Sequence, residues 1–243
     1  MIIYEQVANF SCWRFTLYLV LHLLPKLHPV GGGQSMRIDL HVHTRYSGHS
    51  LLRPERIVEI ARKRNLDALA ITDHDEIQGA IEVSRMFPTI IGEEVTSEDG
   101  DIIGLFLTEK VQRGSAKQVM ESIRAQGGLV IVPHPFDSTR GGAVMSEEVC
   151  ASADCIEVFN SRVVRKADNE RARTFAELKN IPAVVGSDAH TSMEIGKAWM
   201  DVGSIDDPKS FLASLRDAKV HTSKSSVAVR VITMLLKVRE IRK

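Results

Sequence analysis

Six of the nine histidines in this 243-residue chain sit at or just past the ends of short apolar runs. "RIDLHV" carries His41 and is followed by His43, with His49 in the loop after it; "AITDHDE" brings Asp73, His74 and Asp75. "IGEEV" offers Glu93 and Glu94, "VPHPF" offers His134, "EVFNSR" offers Glu157, Asn160 and Arg162, and "GSDAH" offers Asp188 and His190. Imidazole nitrogens and carboxylate oxygens together are the ligand set of zinc, manganese or iron. Any one of these histidines alone reads as a hydrogen-bonded structural residue. Six in equivalent places read as a metal site, because clustered imidazoles repel when protonated and are costly to bury unpaired when neutral. Side chains two apart on a strand share a face, so His41 and His43 can reach one ion, and Asp188 and His190 repeat that spacing.

The elements that must position them are legible as alternating strands and helices. Strands are expected at 37–42, 68–72, 89–91, 101–107, 129–133, 154–159 and 182–187. Between them, "PERIVEIARKRN" reads as a helix with proline in its first turn and Ile57, Ile60 and Ala61 as its inward stripe. "SAKQVMESIRAQGG" starts with a Ser115 to Gln118 capping box, and "DPKSFLASLRDA" is capped by Asp207. Repeated strand and helix units with near-continuous apolar strands imply an α/β fold with a parallel sheet, and about seven units suggest a barrel. In such folds the functional side chains gather at the carboxyl ends of the strands, which is where the six motifs fall. The first and last strands would then be neighbours and converge on the same ions.

Composition limits the alternatives. Thirty-one basic residues balance thirty-one acidic ones, so no global field argues for nucleic acid or membrane. Three cysteines without C-x-x-C spacing leave nitrogen and oxygen as the metal donors and suggest a reducing, cytoplasmic location. Residues 1–35 differ from the rest: "FSCWRFTLYLVLHLLP" is apolar but short and interrupted for a membrane span, and it lacks the flanks of a signal peptide. With "GGGQS" and Met36 after it, this segment is expected to be an extension or a misassigned start, with a membrane-associating helix as the alternative, and the functional domain to span 36–243. The basic, amphipathic C-terminal stretch "SSVAVRVITMLLKVREIRK" is expected to close the barrel with its apolar face rather than bind a membrane surface or RNA.

The motifs "DLHVHT", "AITDHDEIQGA", "IGEEVTSEDG", "VPHPF", "IEVFNSR" and "GSDAH", in this order, resemble those of the polymerase and histidinol phosphatase (PHP) family of metal-dependent phosphoesterases. The resemblance covers about residues 36–225. It implies a distorted seven-stranded (β/α) barrel with two or three divalent ions, commonly zinc, manganese or iron. Carried onto this chain, it implies that His41, His43 and Asp188 hold one ion, that Glu94 bridges to a second held by His134, and that His49, His74 and His190 surround a third. Glu94 rather than Glu93 matches the family's G-x-E-V pattern. Many relatives carry aspartate where His49 stands, a departure expected to shift metal preference toward zinc; Asp101 stands near a position where several carry histidine, and either replaces that ligand or caps a strand. Asp73 is expected to orient His74 or its loop, and Asp75 to be an exposed loop residue.

No nucleophilic serine or cysteine phosphatase signature is visible, so water activated by metal is the expected nucleophile, with Asp188 and His190 as the catalytic pair. Arg162, Arg140, Asn160 and Lys197 are candidates to bind the substrate phosphate. A small phosphorylated molecule is the favoured substrate. A nuclease acting on nucleic-acid ends is the alternative, disfavoured by the 5% aromatic content and by the mere 39 residues between Glu94 and His134, too few for an inserted subdomain. A non-catalytic scaffold is the third reading, for which missing ligands would be the sign. No obligate protein partner is implied, and the oligomeric state is left open.

Overall fold

All seven expected strands form, and the computed structural model, which describes residues 35–226, 228–230 and 233, adds two more. The strands are β1 (Met36–Val42), β2 (Ala68–Ile71), β3 (Thr89–Ser97), β4 (Gly100–Leu105), β5 (Leu129–Val132), β6 (Cys155–Asn160), β7 (Ala183–Gly186), β8 (Ala198–Val202) and β9 (Lys219–Thr222). They join in the order β7-β6-β5-β4-β3-β2-β1-β8-β9. The extra pair is short, and every residue of β9 is exposed, so neither carries the continuous apolar run that marks the inner strands.

The sheet is mixed, not parallel throughout as expected. β1, β2 and β3 are parallel, as are β5, β6 and β7, but β4 runs antiparallel to both its neighbours. The cause is local: Ser97 pairs with Gly100 across a two-residue turn, with Gly100 at φ 123°, a region open to glycine. Reversal of β4 brings its first residues, including Asp101, to the end where the other inner strands finish.

β1 changes partners halfway along. Its first half, Met36–Ile38, pairs antiparallel with β8. Its last residues meet the chain beyond β7: Val42 bridges Ala189 in parallel, the His43 amide donates to the Ala189 carbonyl at 2.9 Å, and the Ala189 amide to the His41 carbonyl at 3.2 Å. This seam nearly closes the barrel. Asp39 stitches it from inside, accepting from the Ser187 amide at 3.0 Å and the Gly196 amide at 2.7 Å; burial nevertheless pushes its carboxyl up to about 6.

Helices cover the outside. α1 (Pro54–Lys63) buries Ile57, Ile60 and Ala61 in one apolar cluster with Val42, Leu69 and Ile71. α2 (Gln78–Ser84) follows β2, α3 (Ala116–Ala125) carries the Ser115 to Gln118 capping box, α4 (Glu147–Ala151) is capped by Ser146, and α6 (Pro208–Ser214) by Asp207. The 14-residue α5 (Lys166–Lys179) had weak periodicity in the sequence because it buries only Asn169, Ala172, Phe175 and Ala176. Among the described residues, no helix is long and apolar enough to cross a membrane. The leader, up to residue 34, and most of the C-terminal basic stretch lie outside the described residues.

Candidate metal centre

The barrel's open end is filled by polar groups. From β1 come His41 and His43, from β3 Glu94, from the turn after β5 His134, and from the segment after β7 Asp188 and His190, each buried. His74 and His49 complete the group from the loops after β2 and β1. Their donor atoms converge in three overlapping sets: His41, Glu94 and His134; His41, His43 and Asp188; His43, His74 and His190. Glu94 sits at the middle, with Oε1 3.0 Å from His134 Nε2 and Oε2 3.3 Å from His41 Nε2, 3.2 Å from His43 Nε2 and 3.4 Å from His74 Nδ1. Glu93 points elsewhere, accepting from the Val111 amide at 2.8 Å, and burial pushes its carboxyl up to about 7. His43 joins His74 and His190 in the third set, and His49, grouped with those two in the sequence, lies beside both, its Nε2 2.9 Å from that of His190 and its ring centroid 5.1 Å from that of His74.

Hydrogen bonds on the far side of each ring set the tautomers. His41 Nδ1 lies 3.0 Å from Glu157 Oε1, and a carboxylate there calls for a donating N–H. The Ser47 hydroxyl donates to Asp73 at 2.6 Å, so its oxygen accepts from His43 Nδ1 at 3.0 Å and from the His74 amide at 3.1 Å. His190 Nδ1 donates to the carbonyl of Asp188 at 3.0 Å. With the Nδ1 protons so committed, the Nε2 atoms of His41 and His43 face each other at 3.0 Å, lone pair to lone pair when both rings are neutral. Acceptor against acceptor is repulsive unless a cation lies between them. Asp188 Oδ1 and His134 Nδ1 are also buried without a hydrogen-bond partner. Ligands about 2.1 Å from a tetrahedral ion stand about 3.4 Å apart, close to the spacings around Glu94, so the donor set fits a metal.

Electrostatics agree with that fit. Burial opposes charge on His41, yet Glu157, Glu94 and Asp188 together raise it well above the usual imidazole range. The field that favours a proton there equally favours a metal cation. Burial likewise works against ionised Asp188, but Arg140 and His41 hold it well below the carboxylate range. His74 is pushed down to about 3, chiefly by burial, and is therefore neutral and able to ligate. His134 and Asp188 hold φ of 32° and 53°, conformations that persist only where the surroundings impose them.

A cleft of about 660 Å3 opens over the cluster, with His49, His74, His190, Arg140 and Arg162 in its wall. Arg140 donates to Asp188 Oδ2 at 2.6 Å, and Asp101 lies under Gly142, whose carbonyl accepts the Asp101 amide at 2.7 Å. Three expectations, for Asn160, Asp75 and Lys197, need correction. Asn160 cannot receive substrate: it is fully buried, and its side-chain amide is spent on Glu157 at 2.9 Å and Asp188 at 3.3 Å. Asp75 is not a free surface group, since it accepts from the Thr96 amide at 2.9 Å and from Arg113 at 2.6 Å. Asp73 orients the loop after β1 through Thr44 and Ser47, and reaches His43 through that serine. Lys197 is absent from the cleft wall. Glu157 was visible at a strand end, but its role was not, because His41 is 116 residues away. Gly186 protects that contact, for a Cβ there would come within 2.3 Å of Glu157 Oε1 and 2.4 Å of the His41 Cβ.

The serine relay gives a measurable expectation. Ser47→Ala should weaken metal affinity about 10- to 100-fold by releasing His43 Nδ1, without unfolding the chain. Competition with a chromophoric chelator reads this directly, and equal affinity would show that Ser47 does not orient His43.

Comparison with known proteins meets this geometry at the same residues. Residues 39–100 match the PHP domain and residues 166–220 the PHP-associated family. Two uncharacterized proteins of Methanocaldococcus jannaschii are similar, MJ1587 at 35% identity over 52% of this chain and 82% of its own, and MJ0417 at 32% over 74% and 79%. A two-domain protein from Bacteroides vulgatus, described as containing a predicted PHP-like metal-dependent phosphoesterase, superposes with a TM-score of 0.63 at 18% identity, over 82% of this chain and 67% of that one. That likeness speaks for the fold. Since the first match spans His41, His43, His49, His74 and Glu94, the residues from which three of the converging strands and loops build the cluster, this chain belongs to the PHP domain family.

Proposed function

We propose that the chain is a metal-dependent phosphoesterase acting on a small phosphate ester, with two or three divalent ions of zinc, manganese or iron held by His41, His43, His49, His74, Glu94, His134, Asp188 and His190. The observation that carries this reading is the convergence of buried imidazole nitrogens and carboxylates, with the Nε2 atoms of His41 and His43 3.0 Å apart, beside a cleft whose wall holds His49, His74, His190, Arg140 and Arg162. When bound, such ions lower the pKa of a water and neutralise the oxygens of a phosphoryl group. The protein's own side chains do the rest. Glu157, Ser47 and the Asp188 carbonyl fix the rings of His41, His43 and His190 so that each presents Nε2. Arg140 occupies Oδ2 of Asp188, leaving Oδ1, 3.3 Å from His190 Nδ1, as the atom that would hold an ion or accept a proton from the attacking water, with His190 positioning it. Arg140 and Arg162 orient the phosphoryl oxygens, a task suited to the guanidinium fork.

A cleft of about 660 Å3 lies in the range of small-molecule sites, which favours a small ester over a nucleic-acid end. Free, buried Cys150 and Cys155 accord with the proposed cytoplasmic location. The test is metal analysis of the purified chain, then assay with zinc, manganese and iron on phosphomonoesters, phosphodiesters and short single-stranded oligonucleotides. Hydrolysis of small esters is the expected result. If the metal-replete protein cleaved none of them, and His41→Ala left metal content unchanged, the reading would be lost. Faster cleavage of oligonucleotides would transfer it to the nuclease class.

His49 carries its own expectation, since the family resemblance implies aspartate there in many relatives. His49→Asp should change the number of ions bound or the preference among zinc, manganese and iron, while the melting temperature of the apoprotein stays near that of the parent. An identical metal profile would remove His49 from the site.

A further inference from the structure

Arg162 leaves β6 at the edge of the cleft, and what holds it there comes from the far end of the chain. Its Nη2 donates to the Thr233 hydroxyl, and its Nε lies 3.5 Å from Glu194 Oε1. Its carbonyl accepts from Arg230 Nη1 at 3.0 Å, and its amide donates to Asn160 Oδ1 at 2.9 Å. Thr233 is buried, and its hydroxyl donates to the Arg230 carbonyl at 3.0 Å, so the oxygen that faces Arg162 is free to accept. Glu194 is fixed in turn by the amides of His190 and Thr191, each 3.1 Å from Oε2. Arg162, Arg230 and Thr233 all line the cleft. Both Arg230 and Thr233 lie beyond residue 220, where the second family match ends, and Arg162 lies between the two matches.

We propose that the chain's C-terminal residues build the recognition wall of the cleft: Thr233 is a positioning residue for Arg162, and Arg230 adds a second guanidinium that contacts the substrate's anionic group. A long, charged side chain ordinarily surrenders much rotamer freedom when it binds an anion. Clamped by Thr233 on one side and Glu194 on the other, Arg162 has surrendered it already, so its fork meets phosphate preorganised. Arg230 is half-buried and spends one N–H on the Arg162 carbonyl, which keeps the two guanidinium groups in register along one wall. Substrate choice would then reside in a part of the chain that the shared family sequence does not cover.

This inference rests on the phosphoesterase reading for the nature of the anion, and inorganic phosphate separates the two. Calorimetric titration of phosphate into the full, metal-loaded chain is expected to show binding weakened about tenfold by Thr233→Val and by Arg230→Ala, with Thr233→Ser close to the parent and metal content constant. With a phosphate ester that the parent hydrolyses, the same loss should appear in KM while kcat stays within about twofold. Arg230→Ala alters a half-exposed residue and keeps the test open should Thr233→Val fail to fold. Unchanged phosphate affinity in Arg230→Ala, equal loss in the valine and serine variants, or no phosphate binding by the parent would each overturn the wall. Weakened phosphate binding in a protein that hydrolyses no ester would retain the wall and discard the proposed activity.

Discussion

Glu94→Gln is expected to cost at least one bound metal ion per chain and on the order of 1,000-fold in kcat, the largest effect of any single substitution in the cluster. The argument is electrostatic. The Glu94 carboxylate lies within 3.5 Å of four imidazoles, those of His41, His43, His74 and His134, and their combined pull holds its carboxyl well below the usual range against the cost of burial. Glutamine keeps the shape and removes the charge, so the two ions it would join lose their shared anion. A metal's contribution to transition-state charge is several kcal/mol, and each 1.4 kcal/mol or so is a factor of about ten, which gives the stated loss. Elemental analysis and a melting curve separate this from unfolding, because the amide is no harder to bury than the carboxylate it replaces. A variant with a full metal complement and kcat within about tenfold of the parent would show that Glu94 is not the bridge.

The second large effect is on stability. Stripping the protein with a chelator should lower its melting temperature by roughly 8–16 °C, because ions present at about 1,000 times their dissociation constant contribute about 4 kcal/mol, and a domain of this length shifts roughly 2–4 °C per kcal/mol. The physical origin is the buried charge itself. Without a metal, only a proton can relieve the crowding of the His41 and His43 Nε2 atoms, and among the described residues Asp188 Oδ1 has no hydrogen bond to accept. Differential scanning calorimetry with and without added zinc or manganese reads the shift, and it should reverse when metal is restored. A change below about 2 °C would mean that hydrogen bonds alone hold the donors together.

Much of this architecture could be read from the sequence because it is written in local runs. The inner strands are continuous apolar stretches, and the histidine motifs sit at their ends, so the barrel and the convergence of His41, His43, His134 and Asp188 followed from spacing and strand direction, while the choice of Glu94 over Glu93 came from the family resemblance. What stayed hidden depends on pairing between distant residues. The reversal of β4, and with it the place of Asp101 at the mouth, is set by the turn between Ser97 and Gly100, whose residues look like any other polar loop. β8 and β9 are stabilised by their antiparallel partners and not by an apolar run of their own. Glu157, Asn160 and Ser47 were all in view, but their roles exist only through rings and carboxylates brought to them by the fold.

The seam in which β1 exchanges β8 for the chain beyond β7 has a bearing on how the protein reaches its native state. His43 and Ala189, joined by a 2.9 Å hydrogen bond, are 146 positions apart in sequence, so the loop they close is among the last that a folding chain can afford entropically. Two members of the cluster, His41 and His43, lie at one end of that loop, and Asp188 and His190 lie at the other. A set containing members from both sides therefore cannot assemble on a nascent fragment that stops before residue 188, whereas His41, Glu94 and His134 can meet earlier. Metal capture by the complete site is in this sense a late event, and it rewards only chains whose two ends have already found each other.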